Sequence, residues 1–147
     1  MPYERIRERK AMSEMAFRFE GLDVWKRAVE LAGLVYVLTK KLPHSEQFGL
    51  VDQMKRAVVS VPANIAEGSA RDSKKDFAHF LNIARGSLFE LVSHIEVAVH
   101  LTYLAVGDVS GIKNEATEIV KMLSGLRRHI LLKRTERRTP RAECCEI

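Results

Sequence analysis

Two glutamate–histidine pairs, a glycine–serine step, two adjacent cysteines and a run of arginines are the residues whose types invite chemistry. Glu90 and His94 stand four apart, as do Glu96 and His100. A di-iron site in a helical bundle needs inward carboxylates and Glu-x-x-His pairs on two helices. That three-residue spacing occurs nowhere in the chain, so His79, His94 and His100 read as surface or interface residues rather than ligands. Gly86-Ser87 lies in a helical pattern, without the strand-to-turn-to-helix context of a hydrolase elbow. Small residues there are read as letting another helix approach. Cys144 and Cys145 are the only cysteines, and adjacent cysteines lack the two-residue gap of zinc ribbons and dithiol motifs. They read as an incidental pair in a tail. Gly-rich phosphate loops and zinc-protease helices are absent too. The expectation is no catalytic residue, no metal and no cofactor.

One stretch is unusual in its polarity. Val61-Pro62-Ala63-Asn64-Ile65-Ala66-Glu67-Gly68 sets Asn64 and Glu67 three apart on one helical face, near an apolar seam. With Ser87 and Glu90 from the next helix, these residues could form a polar pocket or a buried network that fixes helix register. The network is the favoured reading, because buried polar groups must find partners.

The remaining chemistry is electrostatic. The 147 residues carry a formal charge of +5, and its placement matters more than its size. Asp23 to Leu126 holds 12 Lys/Arg against 12 Asp/Glu and is neutral, whereas Arg127 to Ile147 holds seven against three. Arg127, Arg128, Lys133, Arg134, Arg137 and Arg138 make this C-terminal block an arm suited to phosphates or acidic surfaces. It contains no aromatic residue, so contact through it should be salt-sensitive and poor in sequence selection. Lys55-Arg56 and Arg71 with Lys74-Lys75 are further basic spots near helix ends.

Four amphipathic helices must position these groups. Val24, Ala28, Leu31, Val35, Leu38 and Leu42 recur at steps of four and three, with Asp23 as N-cap and Pro43 as the stop. The second pattern starts near Ser45 and runs through Val51, Met54, Val58, Val61 and Ile65, with a kink expected at Pro62. The third runs from a Ser73/Asp76 capping box through Phe77, Leu81, Ala84, Leu88, Leu91, Ile95 and Ala98, and Gly107 closes it. The fourth starts at about Ser110 and carries Ile112, Ala116, Ile119, Leu123, Leu126 and Ile130. Short links and near-3.5 seams predict an all-α, up-and-down, antiparallel, left-handed four-helix bundle. Trp25, Val29, Ala32 and Tyr36 add a second apolar line to the first helix. Phe80, Phe89, Val92, Val99 and Tyr103 do the same for the third. Helices greasy on two sides pack on two sides, which predicts self-association.

No apolar run is long enough to span a membrane, and Met1–Lys10 lacks the core of a secretory signal, so the expected location is the cytoplasm. Residues 17–133 form the expected bundle domain. Residues 1–16 are read as a disordered or mis-annotated extension, with Met15 as the natural start, and 134–147 as a basic flexible tail.

Longer motifs extend this reading. Phe19-Glu20-Gly21-Leu22-Asp23-Val24-Trp25, Phe48-Gly49-Leu50-Val51-Asp52-Gln53-Met54-Lys55-Arg56-Ala57, Ser60 to Gly68, and Phe80 to Leu91 resemble the bacterial four-helix bundle proteins, also called 23S rRNA-intervening-sequence proteins. The resemblance covers about Phe17 to Leu132. It implies a left-handed up-and-down bundle, a ring-like homopentamer and no assigned enzymatic reaction. Similar bundles serve as accessory factors to reverse transcriptases, where a basic pentamer contacts RNA and the polymerase. The expected function is therefore a non-enzymatic oligomeric binding protein associated with RNA or DNA. The alternative is a protein-interaction scaffold for a nucleic-acid enzyme such as a polymerase or reverse transcriptase.

Overall fold

The computed structural model describes residues 17–136, with side chains as far as Leu132. Four α-helices follow a short 3-10 helix, Arg18–Gly21: α1 (Asp23–Thr39), α2 (Leu50–Ser69), α3 (Lys74–His100) and α4 (Val106–Glu136). There is no strand among the described residues. Each helix packs on its sequence neighbours and α4 returns against α1, which closes an antiparallel up-and-down bundle.

The four-three stripes supply the core. Leu31, Val35, Met54, Val58, Val61, Ile65, Leu81, Leu88, Leu91, Ile95, Ile119 and Leu123 are all fully buried. Burying an aliphatic side chain contributes about 1.5–3 kcal/mol, so these residues outweigh the helix-end interactions. Phe77 and Leu126 are only half-buried at the margin of the core.

Helix ends depart from the sequence reading in ways the local chemistry explains. Asp23 is the first residue of α1 rather than its cap; Leu22 holds the cap position without a side-chain bond. Its carboxylate still lies in the first turn, where the helix dipole favours it. α1 stops at Thr39 instead of Leu42: the Lys40, Lys41 and Leu42 N–H groups donate to Val37, Leu38 and Thr39 in tighter three-residue turns, and Leu42, before proline, avoids helical backbone. Pro43 instead precedes a second 3-10 helix, His44–Glu46. α2 begins at Leu50, well after Ser45. Glu46 marks that start by accepting the Leu50 N–H at 3.1 Å. The helix then continues without a break through Pro62, which deprives the Val58 carbonyl of its usual donor.

The Ser73 cap of α3 is present, with its Oγ accepting the Asp76 N–H at 3.0 Å. Gly107 does not close this helix. α3 ends at His100, and Gly107 lies in the first turn of α4, which starts four residues before Ser110. The stop is made by Thr102, whose φ of 64° is left-handed. Its N–H donates to the Val99 carbonyl and the Tyr103 N–H to Ala98, both at 3.0 Å. This is a Schellman motif with threonine in the place glycine usually takes. Asp108 then opens α4 by accepting the Ala105 N–H at 3.0 Å.

The outer faces differ in character. Val29, Leu34, Tyr36 and Val37 on α1, and Ile83, Phe89 and Val97 on α3, are exposed. Trp25, Ala32, Phe80, Val92 and Val99 are half-buried, and Tyr103 falls in the link after α3. Gly86 is exposed and a Cβ there meets nothing, so it provides no close helix approach within the bundle. Gly68 does. A Cβ at that position would lie 2.7 Å from Phe80 Cβ and 2.9 Å from Phe77 Cδ2.

Candidate nucleic-acid interface

Antiparallel packing brings four chain segments to one end of the bundle: the Arg18–Gly21 helix, the end of α2, the start of α3 and the later turns of α4. A depression of about 410 Å³ opens there, lined by Arg18, Leu22, Ser69, Arg71, Asp72, Ser73, Lys74, Phe77, His129 and Ile130. Between α3 and α4 lies a second, of about 280 Å³, lined by Asn82, Arg85, Ser124, Arg127, Arg128, Leu131 and Leu132.

Of the residues singled out for nucleic acid, Arg71 and Lys74 line the first depression and Arg127 and Arg128 the second. Lys75 is exposed beside Lys74 in the first turn of α3. Lys55 and Arg56 are separate, because they stand about 20 Å back along α2 at 1.5 Å per residue. Lys55 lies over the Tyr36 ring at 4.8 Å, and Arg56 pairs with Asp52 at 3.2 Å. Lys133 and Arg134 continue the α4 helix, with side chains outside the described residues, and Arg137 and Arg138 lie wholly outside them. The helix therefore runs past residue 133, where the bundle was expected to end.

The lining cations have few internal partners. Arg71 meets Glu67 at 2.6 Å and lies over the Phe80 ring at 4.7 Å, and Arg85 lies over the Phe89 ring at 5.0 Å. Among the described residues, Arg18, Lys74, Lys75, Arg85, Arg127 and Arg128 form no ion pair. Lys74 and Lys75 also sit at a helix N-terminus, where the dipole opposes positive side chains and favours an anion. Asp72 is the one carboxylate lining the larger depression.

Sequence reasoning missed Arg18, Arg85, His129 and Phe77. The signal for Arg85 was its three-residue step from Asn82, matched across the groove by Ser124, Arg127 and Arg128. By its spacing Phe77 belongs to the core stripe of α3, and the C-terminal arm contains no aromatic residue. Folding places Phe77 beside the cations.

The proposed polar network does not form as drawn. Glu67 is exposed and turned to Arg71, while Glu90 is exposed and 3.3 Å from His94. Asn64 donates from Nδ2 to the Ser60 carbonyl at 2.7 Å, inside its own helix. The link between α2 and α3 is instead the Ser60–Ser87 hydroxyl pair, with Ser87 buried. A serine at position 60 satisfies Ser87 across the seam; the longer side chains at 67 and 90 reach solvent at less cost.

Other polar groups peg the helices together. Arg27 grips Glu115 with two bonds of 2.7 and 2.8 Å between α1 and α4. That contact raises the Arg27 pKa and holds the Glu115 carboxyl below its usual range. At the far end, Lys41 donates to Asp108 at 2.7 Å. The Lys41 bond and then the Ala105 N–H depress the Asp108 pKa. Burial, reinforced by Glu46, pushes the Tyr103 phenol up. Among the described residues, no helix is long and apolar enough to cross a membrane, and no cluster of His, Cys, Asp and Glu side chains could hold a metal ion.

Fold and surface define an antiparallel four-helix bundle with a basic end. The pattern of the 23S rRNA-intervening sequence proteins matches residues 20–125. The chain belongs to that family. Among solved structures it is similar to a protein of unknown function from the S23 ribosomal protein family of Bacteroides thetaiotaomicron VPI-5482. The two are 30% identical with a TM-score of 0.66, over 71% of this chain and 97% of the other. A search of curated proteins returns no match.

Proposed function

We propose that the protein is a non-enzymatic, oligomeric binding protein that associates with RNA or DNA through its basic end. The observation that carries this reading is the basic lining of two depressions, one holding Arg18, Arg71 and Lys74 and the other Arg85, Arg127 and Arg128. Within the bundle these charges gain little from each other, whereas a phosphate backbone would neutralise them and release counterions. Self-association would use the exposed apolar faces of α1 and α3, and the family resemblance implies a homopentamer. A cytoplasmic location suits such a partner.

The test is fluorescence anisotropy with labelled RNA and DNA across a salt series, on nuclease-treated protein. Binding should weaken steeply with salt, and each phosphate contact removed should reduce the slope by about one. Absence of binding at low salt would sink this reading. The second reading, a scaffold for a nucleic-acid enzyme such as a polymerase or reverse transcriptase, draws on the exposed α1 and α3 faces. Capture of such an enzyme from nuclease-treated lysate without direct RNA or DNA binding would favour it.

A further inference from the structure

We propose that the larger depression at the basic end receives one nucleotide of an unpaired strand, with its base over an apolar floor and its phosphate among the cations. This rests on the nucleic-acid reading above and narrows it from any polyanion to single strands. A charged surface that served only phosphates would have no use for a concave apolar floor. Here Leu22, Phe77 and Ile130 contribute such a floor, beside Arg71, Lys74 and His129. The volume, about 410 Å³, falls within the ~300–1,000 Å³ of small-ligand sites.

The aromatic group is held in place. Phe77 packs against Gly68 so closely that a Cβ there would come within 2.9 Å of its ring. Arg71 is steadied by Glu67 and by the Phe80 face, which leaves its remaining N–H groups in position for an anion. Ser73 Oγ accepts the Asp76 N–H and retains its own proton to donate. Bases in a duplex are stacked within it and offer this floor nothing, whereas an unpaired base can stack on an aromatic ring regardless of its identity. The site should therefore select strandedness and tolerate sequence.

The experiment compares three labelled probes on the full chain: a short single-stranded RNA, its blunt duplex, and the same strand made entirely of abasic sugar-phosphate. The single strand should bind at least about tenfold more tightly than either of the others, as expected from stacking one base. Phe77→Leu, which keeps an apolar group against Gly68, should remove that advantage and leave duplex binding unchanged. Should this variant prove unfolded by circular dichroism, the abasic probe decides the matter with the protein intact. Equal, salt-sensitive binding of all three probes would overturn the proposal and leave the proposed function standing. Salt-insensitive or absent binding of every probe would overturn both.

Discussion

The two ends of the bundle solve their electrostatics in opposite ways. At the end formed by residues 41–50 and 101–108, charges are matched internally: Lys41 holds Asp108 at 2.7 Å, and Glu46 accepts from both Leu50 N–H and Tyr103. Its surplus is apolar, with Phe48 91% exposed and Val106 71% exposed. At the opposite end the surplus is positive, and most of the cations have no carboxylate within reach among the described residues. Matched charges hold helix ends together; unmatched ones add self-repulsion. On the proposed function, the difference marks the basic end as the part that meets a partner outside the bundle.

Charge reversal should break the comparison most visibly. Lys74→Glu with Arg127→Glu and Arg128→Glu should weaken RNA binding on the order of a hundredfold at low salt. Lys41→Glu at the far end should leave binding within about twofold, since it contributes only to the distant field. Anisotropy on folded proteins checks both, and equal losses would mean that overall charge, not the basic end, governs binding.

Glycine substitutions sharpen the contrast in packing. Gly68→Val drives its side chain into Phe80 and Phe77, and should cost about 1–3 kcal/mol in urea denaturation. Gly49→Ala meets only the carboxylate of Glu46, at 2.7 Å. That flexible side chain can swing aside, so the cost should be about 1 kcal/mol, mainly the lost cap on Leu50. Thr102→Gly should act in the other direction and stabilise by roughly 1 kcal/mol, since glycine takes the left-handed position without steric cost.

The smallest effect is a pH dependence at the far end. The folded Asp108 pKa lies below its ordinary 3.8, so its contribution is complete above that value and fades as pH falls through the depressed one. Asp108→Asn should therefore lower the melting temperature slightly at pH 7. The gap from the unaltered protein should close below pH 3.8, in the range of the folded pKa. A gap that stayed constant as pH fell through the acid range would assign the effect to packing.

Legibility in the sequence followed the range of the interaction. The stripes through Leu31, Met54, Leu88 and Ile119 were readable because helical periodicity is local and repeated. The Ser73 cap was readable for the same reason. The α3–α4 boundary was not, because the left-handed position fell to Thr102 while nearby Gly107 looked the better stop. Arg127 and Arg128 announced themselves through composition. Arg18 and Arg85 did not, since only the antiparallel packing sets Arg18 with Arg71 at one depression and Arg85 with Arg128 at the other. Asn64 and Glu67 were misjudged because their spacing gave a shared face without saying that Glu67 would turn to Arg71.

α4 spans 31 residues against 20 for α2, or about 46 Å against 30 Å. Ile130 is the last buried residue of α4 among the described side chains, and Leu131 and Leu132 line the groove against Asn82 and Arg85 of α3 at the basic end. A basic end opposite an apolar one gives the molecule a direction. Rotation about a single axis never inverts a subunit, so a ring of copies would carry every basic end on the same rim. A perpendicular two-fold would divide them between opposite rims. In the first case a bound strand would meet the assembly from one side only, and the far rim would be left facing whatever else the ring encounters.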